Sequence, residues 1–475
     1  MAEASREATG AAPPPLHVVA FGHFVPFLEL SKQLARRGHA VTFVSTPRNV
    51  ARLRPVSPRI RLLSLPLPSV DGLPDGAEST ADVPPEKVDL LKVAFDGLAA
   101  PFAGFLDEAC AGGDGATEFG RRPDWIFAIT MLHAGLQVPC ALFHICPAPF
   151  MAFIGPKAAN DAHPRTTAED LMAQPRWIPF PTTIAHRLHE ARDMLVQTFR
   201  ANASGPSDAG RLWQTEQRCP LVILRGSREV DGPLGPFLAD LFGKPVALCG
   251  LLAPYDAALA AQEGADHVDD ESESASLMRW LDEQPARSVI YVAFGSEAPL
   301  TGHHVRELAL GLELAGARFL WALRGPSAAL LALLPDGFEE RVAVSGRGVV
   351  RVGWVPQVRI LAHGAVGAFL THAGLSSLAE SFLFGHPLVM LPLFLDQGVT
   401  ARGMAARGVG LEVPRGEGDG SFGRDDVAAT VRRVMAEGEE GRAFARNAGE
   451  LQAVLWDRAK QDEYVDELVE HLQRR

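Results

Sequence analysis

The sequence predicts an α/β protein built as two Rossmann-type halves that face each other across a cleft. Three observations carry that expectation. A βαβ pattern opens the chain between Leu16 and Ser45. After an acidic run around Asp269, strand and helix patterns alternate afresh from Leu277. Between Trp354 and Gln397, two apolar strands flank a small turn rich in Gly and Ser that opens a helix. Strands alternating with helical segments favour parallel sheets covered on both faces. Two such halves in one chain place ligands in the groove between them.

Bulk properties narrow the class. The 475 residues suffice for two large domains, and 47% hydrophobic residues can fill their cores. A formal net charge of −12 argues against non-specific binding to nucleic acid or anionic membrane, which needs basic surface. It leaves room for one anionic ligand held by local dipoles. No apolar run reaches 18 residues, so no membrane-spanning helix and no stable membrane insertion are expected. Five cysteines without metal-ligand spacing read as reduced core thiols of a cytoplasmic protein. The first residues show no basic segment followed by an apolar core, so no secretory signal is expected there. A monomer is the simplest assembly.

Residues 1–15, small and ending in three prolines, read as a disordered tail. Leu16–Phe21 is an apolar strand. Gly22-His23 turns the chain, and Pro26 suits the first turn of the helix that ends at Gly38. Ala40–Ser45 is a β-branched strand. His23 therefore follows the carboxyl end of a parallel strand, where open α/β sheets bind ligands. By position alone it is either a catalytic group or a turn histidine touching solvent. Residues 54–86 are Pro-rich and read as a loop, and Val88–Ala109 as one helix. Asp124–Thr130 and Cys140–Ile145 are strands with little between them. The first domain spans residues 16–250. Residues 251–276, with Asp266, Asp269 and Asp270, read as a solvated linker rather than a metal site. The second domain spans 277–455, and an amphipathic helix closes the chain over 456–475.

The stretch from Trp354 to Gln397 concentrates the chemistry. The strand Ala368–Thr371 runs into His372-Ala-Gly-Leu-Ser-Ser, which opens a helix carrying Glu380. A second strand ends at Asp396-Gln397. A helix start presents free N–H groups and the positive end of its dipole, so this turn is suited to a phosphate.

With its fixed spacing of Trp354, Gln357, His363, His372, Gly374, Ser377, Glu380, Pro392, Asp396 and Gln397, this stretch resembles the signature box of the plant UDP-dependent glycosyltransferases of secondary metabolism. Further segments, such as FVSTPRN at 43–49 and YVAFGSEAPL at 291–300, resemble the grass members of the branch that extends sugars on flavonoid, terpenoid or steviol glycosides. The resemblance implies the GT-B fold, with the acceptor in the first domain, the UDP-sugar in the second, and the last helix returning to the first. It implies a stacking Trp354 on uracil, Gln357 and Glu380 on the ribose, and Asp396 and Gln397 on the sugar. His372, Ser377, Ser296 and the backbone after Gly374, including Leu375 and Ser376, would hold the diphosphate. His23 would be the base that deprotonates the acceptor hydroxyl, which then attacks the anomeric carbon with inversion. The donor would carry a hexose, glucose first, and the acceptor would be a small hydroxylated or glycosylated metabolite. No cofactor and no metal is implied.

The chain departs from that pattern in three places. The first strand meets the Gly22-His23 turn several residues early. The family's carboxylate partner of the base lies beyond a Pro-Asp-Trp strand entry, but here Pro123-Asp124-Trp125 reaches Val138 too soon, leaving Asp124 as the candidate substitute. The box reads Ala373 and Leu375-Ser376 where the family has Cys and Trp-Asn. The alternative expectation is thus a shortened gene model, or an impaired relative that binds UDP-sugar without the partner carboxylate.

Overall fold

Parallel strands need crossover connections, and both halves of the chain supply them. The computed structural model describes residues 14–53, 57–111, 119–130, 138–263, 273–295, 298–324 and 331–474. The first sheet contains β1 (His17–Phe21), β2 (Ala40–Ser45), β3 (Ile60–Ser64), β4 (Trp125–Ala128), β5 (Cys140–His144), β6 (Leu221–Leu224) and β7 (Val246–Leu248), ordered β3-β2-β1-β4-β5-β6-β7. The second contains β8 (Val289–Ala293), β9 (Arg318–Leu323), β10 (Gly348–Val352), β11 (Val366–Thr371), β12 (Leu388–Met390) and β13 (Gly410–Glu412), ordered β10-β9-β8-β11-β12-β13. Every pairing is parallel.

The strand order reverses between β1 and β4 in the first sheet and between β8 and β11 in the second. At such a switch point the connecting helices leave to opposite faces and open a crevice at the carboxyl ends of the strands. His23 follows β1, and His372 follows β11. Both candidate centres therefore sit at switch points.

Burial explains why the central strands read as unbroken apolar runs. All five residues of β1 are buried. Val19 and Phe21 join one core layer, while Val18 and Ala20 join the other. Phe27, on the helix Phe24–Arg36, packs on Phe143 of β5 with ring centroids 4.6 Å apart. Burying an aromatic side chain of this size contributes on the order of 1.5–3 kcal/mol.

Three expectations need correction. The stretch 54–86 is not all loop: β3 lies within it, as an edge strand in which Ile60 alone is buried, so it lacks a clear apolar alternation. The expected helix at 88–109 is two helices, Val88–Asp96 and Ala99–Ala111, divided at Gly97-Leu98. The expected linker at 251–276 is helical over Tyr255–Glu263, and Tyr255 and Ala258 are buried in the second domain's core. Of its alanines, Ala258 is the one fully buried against that core. Asp266, Asp269 and Asp270 lie outside the described residues.

The last helix, Arg458–Gln473, sets Val465, Leu468 and Leu472 into a core layer of the first sheet. The indole of Trp125 donates to the Leu472 carbonyl at 3.0 Å. The domains are also joined by charge. Arg402 forks onto the Glu190 carboxylate at 3.0 and 2.9 Å, and Arg187 forks onto Glu412. Planar pairs of this kind fix orientation as well as distance.

Candidate active site

The turn after β11 is shaped around one imidazole. A Cβ on Gly374 would stand 2.4 Å from His372 Nε2, and one on Gly295, after β8, would stand 3.1 Å from His372 Cε1. The ring is wedged between two glycines, which is why both positions need to lack a side chain. Ala373 between them takes φ of +65°, a left-handed conformation that costs a non-glycine residue energy. Burial lowers the His372 pKa to about 4, so the ring is neutral and offers a single N–H.

The helix Leu375–Phe382 begins here with Gly374 as its N-cap, and no side chain caps it. Its first intrahelical bond runs from Leu378 N to Gly374 O at 3.0 Å. The amides of Leu375, Ser376 and Ser377 precede that bond and have no acceptor within the helix. The side chain of Leu375 is turned into the second domain's core, so only its backbone can serve a ligand. Ser377 is buried at the helix start.

One turn further on, Glu380 is held by its neighbours. Gln357 Nε2 donates to Glu380 Oε2 at 2.6 Å, and the Tyr291 hydroxyl donates to Gln357 Oε1 at 3.1 Å. Burial raises the Glu380 pKa, while the Gln357 bond and the nearby Arg225 and Arg324 oppose the rise. Trp354, just past β10, is 73% exposed, an unusual state for an indole in an otherwise packed region. Tyr291 was not singled out from the sequence, although its place at the middle of β8 beneath Gln357 gives it a supporting role.

Asp396 and Gln397 begin the helix Gln397–Ala406. Gln397 Oε1 accepts from the amides of Leu393 and Phe394 at 2.9 and 3.2 Å. That leaves its amide nitrogen as the end that can reach a ligand. Burial raises the Asp396 pKa to about 6. Ser296 lies outside the described residues.

On the first domain, His23 is exposed at the N-cap of the helix Phe24–Arg36. It lies close enough to the buried His144, at the end of β5, to act on its charge. Burial first, and then His23, lower the His144 pKa to about 4. Two residues on, the Cys146 thiol is pushed up by burial and by the charge of Asp396. The carboxyl-end loops of the two sheets thus meet. Asp124 is placed at the opposite edge: its amide donates to the His17 carbonyl, and its carboxylate takes bonds from His17 N at 2.6 Å and Arg121 at 2.8 Å. It ties the amino ends of β1 and β4 together and cannot orient His23 from there.

Arg225 was also missed. It follows β6, is 2% exposed, and donates from Nη1 to Ser376 Oγ at 2.8 Å and from Nε to the Leu251 carbonyl at 2.8 Å. A charged residue at the carboxyl end of an apolar strand was the available signal. Among the described residues no group of three or more His, Cys, Asp or Glu is arranged to hold a metal. No helix among them is long and apolar enough to cross a membrane.

Two parallel-sheet domains whose carboxyl-end loops meet, with an uncapped helix start on one and a histidine on the other, have the GT-B architecture of sugar-nucleotide transferases. The family model described as UDP-glucoronosyl and UDP-glucosyl transferase matches residues 258–459. The chain is 39% identical to UDP-glycosyltransferase 91B1 of Arabidopsis thaliana, over 97% of this chain and 98% of that one. It is 36% identical to the soyasaponin III rhamnosyltransferase of Glycine max, over 97% and 96%. Among solved structures, a UDP-glucose:anthocyanidin 3-O-glucosyltransferase in complex with UDP superposes with a TM-score of 0.71 at 25% identity, covering 98% of this chain and all of that one. The chain belongs to the plant UDP-glycosyltransferase family and is a UDP-sugar-dependent glycosyltransferase of plant metabolites.

Proposed function

We propose that this enzyme transfers a hexose, glucose as the first candidate, from its UDP-sugar to a hydroxyl of a small metabolite or of its glycoside, inverting the anomeric centre. The observation that carries the donor half is the half-buried Gln357–Glu380 pair beside the exposed Trp354 indole, with Glu380 in the second turn of the helix that starts uncapped at Gly374. Uracil stacks on the indole, and the ribose hydroxyls donate to Glu380. The diphosphate lies on the helix amides beside His372. Asp396 and the Gln397 amide address the sugar. UDP leaves stabilised by these donors, so the reading calls for no metal.

His23 supplies the base. It is exposed at the end of β1, next to His144 and on the side where Cys146 meets Asp396. Its imidazole takes the acceptor proton as the oxygen attacks from the face opposite UDP. A flavonoid or terpenoid glycoside suits the apolar surroundings of the first domain's loops. The relatives named above act with rhamnose and glucose, so both donors enter the test.

UDP release measured for UDP-glucose and UDP-rhamnose against a panel of flavonoid and terpenoid glucosides tests the proposal, with the product anomer read by NMR. Transfer with inversion is expected for at least one pair. A second reading, a UDP-sugar binder with little transfer, is favoured by the position of Asp124 at the far edge of the sheet. It wins if UDP raises Tm but no pair releases UDP.

A further inference from the structure

The diphosphate seat on the second domain has an electrostatic gap. His372 is neutral there, and the helix start contributes only partial charge. Ser376 occupies the second position of that helix, where its hydroxyl is shorter than the amide of the family pattern and has a single hydrogen to give. The first domain reaches across to this residue. Arg225 is buried, and among the described residues its two side-chain hydrogen bonds both go to neutral oxygens, the Leu251 carbonyl and Ser376 Oγ. Burial lowers its pKa to about 10, which leaves it a cation at neutral pH.

The direction of the bond matters. Arg225 donates and Ser376 Oγ accepts, because a guanidinium has nothing to accept with. The hydroxyl hydrogen is therefore not spent on Arg225 and remains available to another acceptor. A hydroxyl that accepts from a cation is polarised and becomes a stronger donor. We propose that Arg225 is a positioning residue of the donor site, acting through Ser376 to turn that hydroxyl onto the diphosphate of the bound UDP-sugar. It lends the first domain's charge to a ligand held by the second. The pair replaces a longer amide with a short donor backed by a cation. The same guanidinium holds the donor turn against the segment that leaves the first domain, since Arg225 also pins Leu251.

This inference rests on reading the turn as the diphosphate seat, and the experiment separates the two. Calorimetric Kd values for UDP and for uridine are measured with the wild type, R225M, R225K, S376A, R225M/S376A and, as a control on the nucleoside end, E380A. Tm reports folding of each. R225M and S376A are each expected to weaken UDP about tenfold, the scale of one charge-assisted hydrogen bond, and to leave uridine unchanged. The double variant should be no weaker than the worse single, because both remove one coupled device. R225K should recover part of the loss, keeping the charge without the fork. E380A should weaken UDP and uridine alike. The inference is overturned if R225M weakens both ligands equally, if it leaves UDP unchanged, or if the losses of the two singles multiply. If R225M does not fold, S376A and R225K decide by the same UDP-to-uridine contrast. If wild type binds UDP no better than uridine, the seat itself is misread and this inference falls with it.

Discussion

The two sides of the cleft are built by opposite means. On the donor side several of the described candidate side chains are held in place by their neighbours, while the Trp354 face is open. His372 is wedged between glycines, Glu380 is held by Gln357, and Gln397 is committed to its own loop. On the acceptor side His23 is exposed at a helix N-cap, close enough to the buried His144 to act on its charge. The difference follows from the tasks. A nucleotide is recognised by fixed donors and acceptors whose dehydration has been settled during folding. A base must exchange its proton with water and reach acceptors of varied shape.

His23→Ala is expected to break the acceptor side alone. Loss of general base catalysis should lower kcat by about a thousandfold, with the Kd for UDP unchanged. A matching loss of UDP affinity would move His23 out of the base role. Glu380→Ala should break the donor side alone, weakening UDP by roughly ten- to hundredfold, because Gln357 loses its acceptor along with the ribose. Unaltered UDP binding in that variant would refute the ribose assignment.

Gly374→Ala sharpens the comparison by geometry. The added methyl must displace the His372 ring, so KM for the UDP-sugar should rise about tenfold, on the scale of ordinary overpacking. A KM equal to wild type would mean the ring is not needed where it sits. The smallest effect concerns Asp396, which burial raises from 3.8 to about 6. A value raised in the folded state means the protonated form suits the fold. That contribution is complete below about pH 3.8 and is lost as pH rises through 6. Asp396→Asn never ionises, so its Tm relative to wild type should improve by roughly 4 °C between pH 4 and pH 7.5. A difference independent of pH would show that Asp396 is not the group responsible.

The same contrast governs what could be read from the sequence. The donor side is local: Trp354, Gln357, Glu380 and Asp396 lie on one stretch, so its pattern carries the strands and the turn between them. The central strands were legible because both faces are buried. Edge strand β3 was not, since Ile60 is its lone buried residue. The helix at Tyr255–Glu263 hid in an alanine-rich stretch whose packing partners are distant in sequence. Arg225 and Ser376 are separated by 151 residues, and only the closure of one domain on the other brings them together. Asp124 was legible as well: the sequence sets it at the amino end of its strand, and the parallel register keeps it there, away from His23.

The returning helix has a consequence for how the protein is made. Val465, Leu468 and Leu472 complete a core layer whose other members lie between Leu16 and Leu252. During synthesis the first domain emerges early and its helix Phe24–Arg36 can cover part of this face, yet the part under Val465, Leu468 and Leu472 stays open until the returning helix has been made. The first domain is therefore completed only after the second has been translated. Throughout that interval the nascent chain presents an apolar sheet face to the cell, the kind of surface chaperones hold.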